Sequence, residues 1–334
     1  MNLNRRRLVA ASAAMPLIGL HRVARAAEFE MKWGCFAPAD HPLSVNAIEA
    51  ARRIGEESKG RVAIRYFPSS QLGGDTDMLS QVRSGALDLY TTSASFLTTL
   101  NPSVGPSAMG FAFKDYATIW SAVDGDVGRI AQKAAASANI HVFEKYWDLG
   151  FRTVSSSIKP IATLADLQGL KIRVPVLPML FGMFKSLGAA PVSMNFSELY
   201  TSMQTKLIEG QENPLVNVWT AKFYEVQKYV ALTNHSWEGM LIAANRGRFN
   251  ALPADIQDII TRNINAAALR EREDMARLTA DVRSKLEAAG LKFNAVDVGS
   301  FRDKLKQAGY YAEWRQKMGD EAWAALEKYT GRLV

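Results

Sequence analysis

The stretch Leu170-Lys-Ile-Arg-Val-Pro175, followed later by Glu209-Gly-Gln-Glu-Asn-Pro214, decides the fold and the chemistry of this chain. Arg173 alternates with two aliphatic residues, which is typical of a buried strand that ends at the next proline. Ligands of α/β sheets bind at the carboxyl ends of the strands. A guanidinium placed there matches the planar, charged shape of a carboxylate. We predict that Arg173 binds a carboxylate together with the Asn213 amide. An internal salt bridge to Arg173 is the alternative.

The first 26 residues have the pattern of a cleavable export signal. Three arginines at positions 5–7 precede a short apolar run, which ends in Ala24-Arg-Ala26. The run is too short to cross a bilayer, and the small residues form a cleavage site. Paired arginines indicate twin-arginine export, so we predict a periplasmic protein whose signal is cleaved near Ala26. A membrane anchor or a disordered basic arm is the alternative.

The positive net charge of the chain belongs largely to this segment. Removing residues 1–26 takes away five arginines and no acidic residue, which lowers the formal charge from +7 to +2. We therefore expect no nucleic-acid partner. The single cysteine, Cys35, excludes a disulfide within the chain.

The rhythm of apolar residues predicts alternating strands and helices, and therefore an α/β fold with a mostly parallel sheet. The pattern starts at residue 28 and begins again at residue 151, so we predict two lobes with a ligand cleft between them. The first lobe is expected to comprise residues 28–150 plus about 239–275, and the second residues 151–238 plus about 276–334. Residues 93–114, which are rich in Pro, Gly and Ser, are predicted to form irregular surface.

Two further elements connect these lobes. Separate strands are predicted at Lys228–Asn234 and Met240–Asn245. Pro253–Ala289 has helix-favouring composition and a glycine stop, and it predicts one long helix that spans both lobes or kinks between them. Two helices joined near Glu271–Asp274 are the alternative.

The sequence contains no recognisable catalytic or metal-binding motif. Only His41, His141 and His235 follow the signal, none of them four residues from another, and no phosphate-cradling or dinucleotide loop is present. We therefore predict a binding protein with no cofactor and assign no metal-ligating residue; the sequence leaves open whether a metal ion assists binding. An enzyme acting on small acids is the alternative, with His235 as its one plausible acid or base.

The chain resembles the solute-binding proteins of tripartite ATP-independent periplasmic (TRAP) transporters, the DctP family. The resemblance covers the chain after the signal and is strongest from residue 150 to residue 235. Its motifs are Ser84-Gly-Ala-Leu-Asp88, Gly150-Phe-Arg152, Leu164-Ala-Asp-Leu-Gln-Gly-Leu-Lys-Ile-Arg-Val-Pro175, Phe196-Ser-Glu-Leu-Tyr200, Glu209-Gly-Gln-Glu-Asn-Pro214, Ala221-Lys-Phe-Tyr-Glu-Val-Gln-Lys228 and Thr233-Asn-His235.

This resemblance implies a two-lobed, periplasmic-binding-protein-like fold and assigns roles to matching residues. Arg173 forms a salt bridge to the ligand carboxylate, Asn213 supports the same group, and Arg152 lies nearby and acts directly or through water. Phe196 packs against the ligand. The opposite lobe is expected to contribute Phe36, Asp75 and Ser93.

Departures from the family pattern predict the ligand. Apolar residues or proline follow the Arg-Val-Pro motif where many members bind hydroxyl groups, and Phe36, Phe196 and Trp237 suggest an apolar pocket. We predict a monocarboxylate or 2-oxo acid with an apolar or aromatic body rather than a heavily hydroxylated sugar acid.

The family also implies the partner. The expected activity is capture of the acid by a monomeric binding protein, closure of the two lobes, and delivery to the permease subunits in the membrane. A subunit that presents the same ligand to a sensor is a further alternative.

Overall fold

The computed structural model describes residues 26–334. The predicted export signal lies outside the described residues apart from Ala26, so its cleavage stays a prediction. Within the described range, none of the helices combines the length and the apolar character that a membrane span requires.

The N-terminal part alternates strands and helices as predicted. Its strands β1, β2 and β3 are parallel to one another, with β1 between the other two. The elements are β1 (Phe29–Cys35), α1 (Pro42–Glu57), β2 (Val62–Phe67), α2 (Asp75–Ser84) and β3 (Leu89–Ser93).

Most of residues 93–114 are buried, so the prediction of irregular surface for this stretch is wrong. Their glycines permit close packing that the sequence pattern does not reveal: a Cβ atom on Gly105 would lie 2.8 Å from the methyl groups of Met179 and Met318. The elements here and after it are α3 (Ala94–Leu97), a 3₁₀ helix (Pro102–Ala108), α4 (Tyr116–Val123), α5 (Asp126–Ser137), β4 (Ile140–Val142) and β5 (Trp147–Ser156).

A second series of short strands and helices follows. It contains α6 (Leu164–Leu167), β6 (Lys171–Val174), α7 (Pro178–Ser186), β7 (Ala190–Ser193), a 3₁₀ helix (Phe196–Glu198), α8 (Leu199–Gln204), β8 (Gly210–Pro214), α9 (Leu215–Thr220), a 3₁₀ helix (Phe223–Glu225), β9 (Tyr229–Asn245) and α10 (Arg246–Asn250). Strand β6 lies between β7 and β8 and is parallel to both, so Arg173 is on an internal strand.

The strands form one sheet in the order β2-β1-β3-β9-β5-β8-β6-β7, and β4 also pairs with β9. Strand β9 is a single strand of 17 residues, so the prediction of two separate strands is wrong. The polar residues between the two predicted strands are buried in the sheet, because Glu238 and His235 find charged or polar partners on other elements. Strands β9 and β5 join the two ends of the sheet.

The long helix is α11 (Ala254–Ala288), and the prediction of one continuous helix is confirmed. Its 35 residues extend about 52 Å and pack against α1, β5 and α9, which lie in both halves of the chain. The chain ends with β10 (Lys292–Asn294), α12 (Val298–Gln307), α13 (Tyr310–Met318) and α14 (Asp320–Thr330). Helices α13 and α14, from the predicted second lobe, pack against residues 102–108 of the predicted first lobe. The division of the chain into two lobes by residue range stays a prediction.

Candidate functional site

The carboxyl ends of β1, β3, β6 and β8 surround a cavity whose empty space, including the part open to solvent, is about 380 Å³. Seven of the eight predicted site residues line this cavity, and Trp237 does not. Of the 14 lining residues, seven are polar or charged and seven are apolar or proline: Phe36, Asp75, Ser93, Phe96, Leu149, Arg152, Arg173, Pro175, Leu177, Phe196, Asn213, Asn217, Glu238 and Met240.

Arg173 is a buried cation without a carboxylate partner. Its side chain is 2 % exposed. Its Nε and Nη2 atoms donate to the carbonyl oxygen of Met194 at 3.0 and 2.8 Å, and no acidic group among residues 26–334 forms a hydrogen bond with it. Burial lowers the pKa of Arg173 to about 10, assisted by the positive charge of Arg152, so the guanidinium remains charged at neutral pH. The alternative of an internal salt bridge to Arg173 is therefore wrong.

Arg152 has the opposite environment. It comes from β5 and donates to both carboxylate oxygens of Glu212, at 2.5 and 2.8 Å, and to Glu238 at 3.0 Å. Burial opposes ionisation of Glu212, yet the Arg152 charge holds the pKa of this carboxyl below its usual value. Arg152 lines the cavity, but two internal acids already neutralise it. The cavity therefore contains one arginine that hydrogen-bonded acids neutralise and one that has no such acid.

Two amides lie beside Arg173. Asn213, at the end of β8, donates to Gln211 Oε1 at 2.5 Å and accepts from Asn217 Nδ2 at 3.1 Å. Asn217 lies four residues later, on α9, and also lines the cavity. Sequence reasoning missed Asn217. The spacing of one helical turn from a strand-end asparagine is the signal that could have revealed it.

Acids and hydroxyls form the facing wall. Asp75 is the first residue of α2, and its carboxylate accepts from the Tyr90 hydroxyl at 3.1 Å. Burial raises the pKa of Asp75, while the charge of Arg173 opposes this shift. Ser93 Oγ lies 2.9 Å from Ser95 Oγ, and Ser95 donates to Glu238 at 2.6 Å. Burial also raises the pKa of Glu238, a second lining residue that sequence reasoning missed.

Aromatic rings close the apolar side. Phe36 and Phe196 meet edge to face, with ring centroids 5.0 Å apart. Trp237 is elsewhere, which corrects its placement among the predicted site residues. Its indole donates to Asp148 Oδ1 at 2.8 Å and packs on Trp120 at 5.2 Å. Successive side chains of a strand point to opposite faces, so β9 directs Glu238 to the cavity and Trp237 away from it.

Both ring nitrogens of His235, the base predicted for the alternative of an enzyme, lie within hydrogen-bond distance of other buried side chains. His235 is 1 % exposed, with its ring nitrogens 2.8 Å from the Thr233 hydroxyl and 3.0 Å from Glu212 Oε2. Burial and Arg152 lower its pKa. His235 does not line the cavity. Within residues 26–334, no group of three or more His, Cys, Asp or Glu side chains is placed to hold a metal ion.

Comparisons with known proteins bear on the family of this chain. Residues 33–316 match the family described as DctP, bacterial extracellular solute-binding protein, family 7. The 2,3-diketo-L-gulonate-binding periplasmic protein YiaO of Escherichia coli is 34% identical over 75% of this chain and 77% of its own length.

Solved structures of solute-binding proteins also resemble this chain. A TRAP periplasmic solute-binding protein from Roseobacter denitrificans with bound L-galactonate superimposes with a TM-score of 0.84 and 28% identity, over 91% of this chain and 99% of that one. A second, from Sulfurospirillum deleyianum with bound succinate, has the same TM-score, identity and coverage. These similarities confirm the predicted two-lobed α/β fold. The chain belongs to family 7 of the bacterial extracellular solute-binding proteins, the DctP family of TRAP transporters.

Proposed function

We propose that this protein captures a small organic acid in the cavity, through Arg173 and Asn213, and delivers it to a TRAP-type membrane permease. The observation that carries the proposal is the Arg173 guanidinium, which lines the cavity without a carboxylate partner. An unpaired buried charge costs several kcal/mol, and a ligand carboxylate beside it would offset that cost. Arg152 cannot take this role equally well, because Glu212 and Glu238 already accept its hydrogen bonds.

The residues that line the cavity indicate which groups the ligand carries besides its carboxylate. Phe36 and Phe196, which were predicted from the sequence, and Met240, which was not, favour an apolar face. Asp75 and Ser93, which were predicted site residues, and Glu238, which was not, add polar atoms to the cavity wall. Related structures contain succinate and L-galactonate, which carry polar groups away from the first carboxylate. We therefore propose a short 2-oxo or hydroxy acid with one apolar face, bound so that its oxygen substituents meet the Asp75 side.

Family membership supports the rest of the proposal. Relatives are binding proteins rather than enzymes. His235, the one base that the sequence offered for an enzyme, does not line the cavity and is hydrogen-bonded to Thr233 and Glu212. Delivery to the permease, a periplasmic location after signal cleavage, and a monomeric state follow from the same family and remain part of the proposal.

Calorimetric titration tests the Arg173 contact. The panel comprises succinate, L-galactonate, D-glucuronate, pyruvate and phenylpyruvate. Arg173→Ala is expected to weaken binding of the best acid by roughly 2–5 kcal/mol, because it removes a buried charge partner. Arg173→Lys keeps the charge but loses the planar fork, so an intermediate loss is expected. Arg315→Ala, at a half-exposed arginine on α13, is the control and should bind like wild type. An unchanged Kd for Arg173→Ala would contradict the proposal.

A further inference from the structure

A continuous line of buried side-chain hydrogen bonds passes through the amide end of the cavity. The distances between successive hydrogen-bonded atoms, from the His41 end to the Gln227 end, are 3.2, 3.1, 2.5, 2.6 and 2.9 Å. None of its side chains is more than 6 % exposed. Its members are, in order, His41, Asn217, Asn213, Gln211, Ser155 and Gln227.

Backbone groups at both ends determine the direction of this line. At one end, the Leu43 N–H donates to His41 Nδ1 at 3.1 Å. A backbone N–H can only donate, so Nδ1 is the acceptor and neutral His41 carries its proton on Nε2. At the other end, Gln227 Nε2 donates to the carbonyl oxygen of Val226 at 3.1 Å, which can only accept. Exchanging the oxygen and nitrogen of any side-chain amide along the line would place two acceptors or two donors opposite each other in at least one of these contacts.

The direction has a consequence for the ligand. Asn217 occupies Asn213 Oδ1, and Asn213 Nδ2 uses one hydrogen for Gln211. The second Nδ2 hydrogen is the group that Asn213 can offer to the cavity that it lines. We propose that His41 and Asn217 are positioning residues, which hold the Asn213 amide so that it presents a donor to the ligand carboxylate. This inference rests on the proposed function.

His41 also caps α1, because its Nδ1 accepts from the first turn of that helix. Two substitutions separate this structural role from the positioning role. Asparagine is among the best N-cap residues, so His41→Asn should keep the cap while removing the Nε2 donor to Asn217. His41→Ala removes both. If His41 only stabilises α1, affinity should follow thermal stability, and His41→Asn should bind ligand like wild type.

Titration of the best acid from the panel is the affinity test. Both variants are expected to weaken binding by about five- to tenfold, the size expected for one buried hydrogen bond. Only His41→Ala is expected to show a clear further fall in melting temperature from loss of the cap. Asn217→Asp, which cannot donate to Asn213, should weaken binding at least as much. Wild-type affinity in His41→Asn and Asn217→Asp would overturn the inference.

A second measurement needs no ligand. In ¹⁵N-histidine-labelled protein at neutral pH, the imidazole nitrogen shifts report the tautomer, and His41→Asn identifies the His41 signal. The expected result is a proton on Nε2, and a proton on Nδ1 would overturn the inference. The two proposals fail differently. Wild-type protein that binds no acid of the panel contradicts the proposed function, and the tautomer then decides the positioning role. Arg173→Ala that loses binding while His41→Asn keeps it contradicts the positioning role alone.

Discussion

Gly74 and Asn195, which directly precede the cavity residues Asp75 and Phe196, are in contact: a Cβ atom on Gly74 would lie 2.8 Å from Asn195 Cγ. Gly74 is the N-cap of α2 and has no side chain to cap it, and the Thr76 N–H donates to Asn195 Oδ1 at 3.4 Å. Asn195 follows β7, at the opposite end of the sheet from the strands that flank α2. One lobe therefore supplies a helix cap to the other. We expect this contact to be lost when the two lobes move apart.

Gly74→Ala should weaken ligand binding without weakening the fold. Gly74 has φ −68° and ψ 174°, which alanine adopts without strain. The added methyl group must displace the Asn195 side chain, and a loss of about 1 kcal/mol of binding free energy, roughly fivefold in Kd, is expected from its hydrogen bonds. Titration and thermal unfolding measure the two effects. Gly182→Ala, on α7 with open space around it, is the matched control. Tighter or unchanged binding by Gly74→Ala would argue against the contact.

Glu212→Gln should be strongly destabilising. Its carboxylate accepts two hydrogen bonds from Arg152 and is 0 % exposed, so the substitution leaves a buried charge with Glu238 as its only acid. Breaking a buried pair from one side costs about 3–5 kcal/mol of unfolding free energy. Urea denaturation measures the loss. Glu49→Gln removes the acid of the exposed Arg52 and Arg53 pairs and should have a small effect. Equal losses of unfolding free energy in Glu212→Gln and Glu49→Gln would contradict a special contribution of the buried Arg152–Glu212 pair.

The sequence predicted those parts of the site that depend on local pattern. Alternation placed Arg173 on a buried strand, and the strand end placed it at the cavity. The continuity of β9 was not predictable in the same way. His235 and Glu238 read as polar interruptions, because their partners Glu212 and Arg152 lie 23 and 86 residues away in the chain. Only the folded sheet brings these charges together.

The choice of Trp237 shows how one wrong boundary affects a site prediction. Without a strand at residues 235–239, nothing assigned Trp237 and Glu238 to opposite faces. A continuous strand does so, because its side chains alternate. Glu238 therefore faces the cavity, and Trp237 packs on Trp120 on the other face.

Asp148→Asn should stabilise the protein at alkaline pH. Asp148 lies beside the buried Glu271, and burial raises the pKa of Asp148 to about 6 from an ordinary value of 3.8. The folded state thus retains a proton that the unfolded chain has lost. Its contribution to stability is complete below pH 3.8 and is lost as the pH rises through about 6. The total is roughly 3 kcal/mol.

An asparagine imitates the neutral acid and can still accept from the Trp237 indole. The unfolding free energy in urea, measured at pH 5 and pH 8, should therefore fall less for Asp148→Asn than for wild type. The exposed Asp281→Asn on α11 is the control and should keep the wild-type dependence. A steeper fall for Asp148→Asn would reverse the assigned sign.

His141→Phe should protect the protein against acid. Burial and Arg246 lower the pKa of His141 to about 4 from 6.5, so here the unfolded chain binds the proton first. The stability contribution of the neutral ring is complete above pH 6.5 and is lost as the pH falls through about 4. Allowing for partial exposure of the ring, the loss is roughly 2 kcal/mol.

The ring of His141 stacks on Phe249, with centroids 4.2 Å apart, and its buried Nε2 atom has no hydrogen-bond partner among residues 26–334. Phenylalanine can keep that stacking and has no proton to gain. Unfolding free energies at pH 7 and pH 4.5 should therefore differ less for His141→Phe than for wild type. His41→Asn removes the other histidine whose pKa is lowered to about 4, and the double variant should be flatter still. Identical pH dependence in wild type and His141→Phe would mean that this ring does not contribute to acid unfolding.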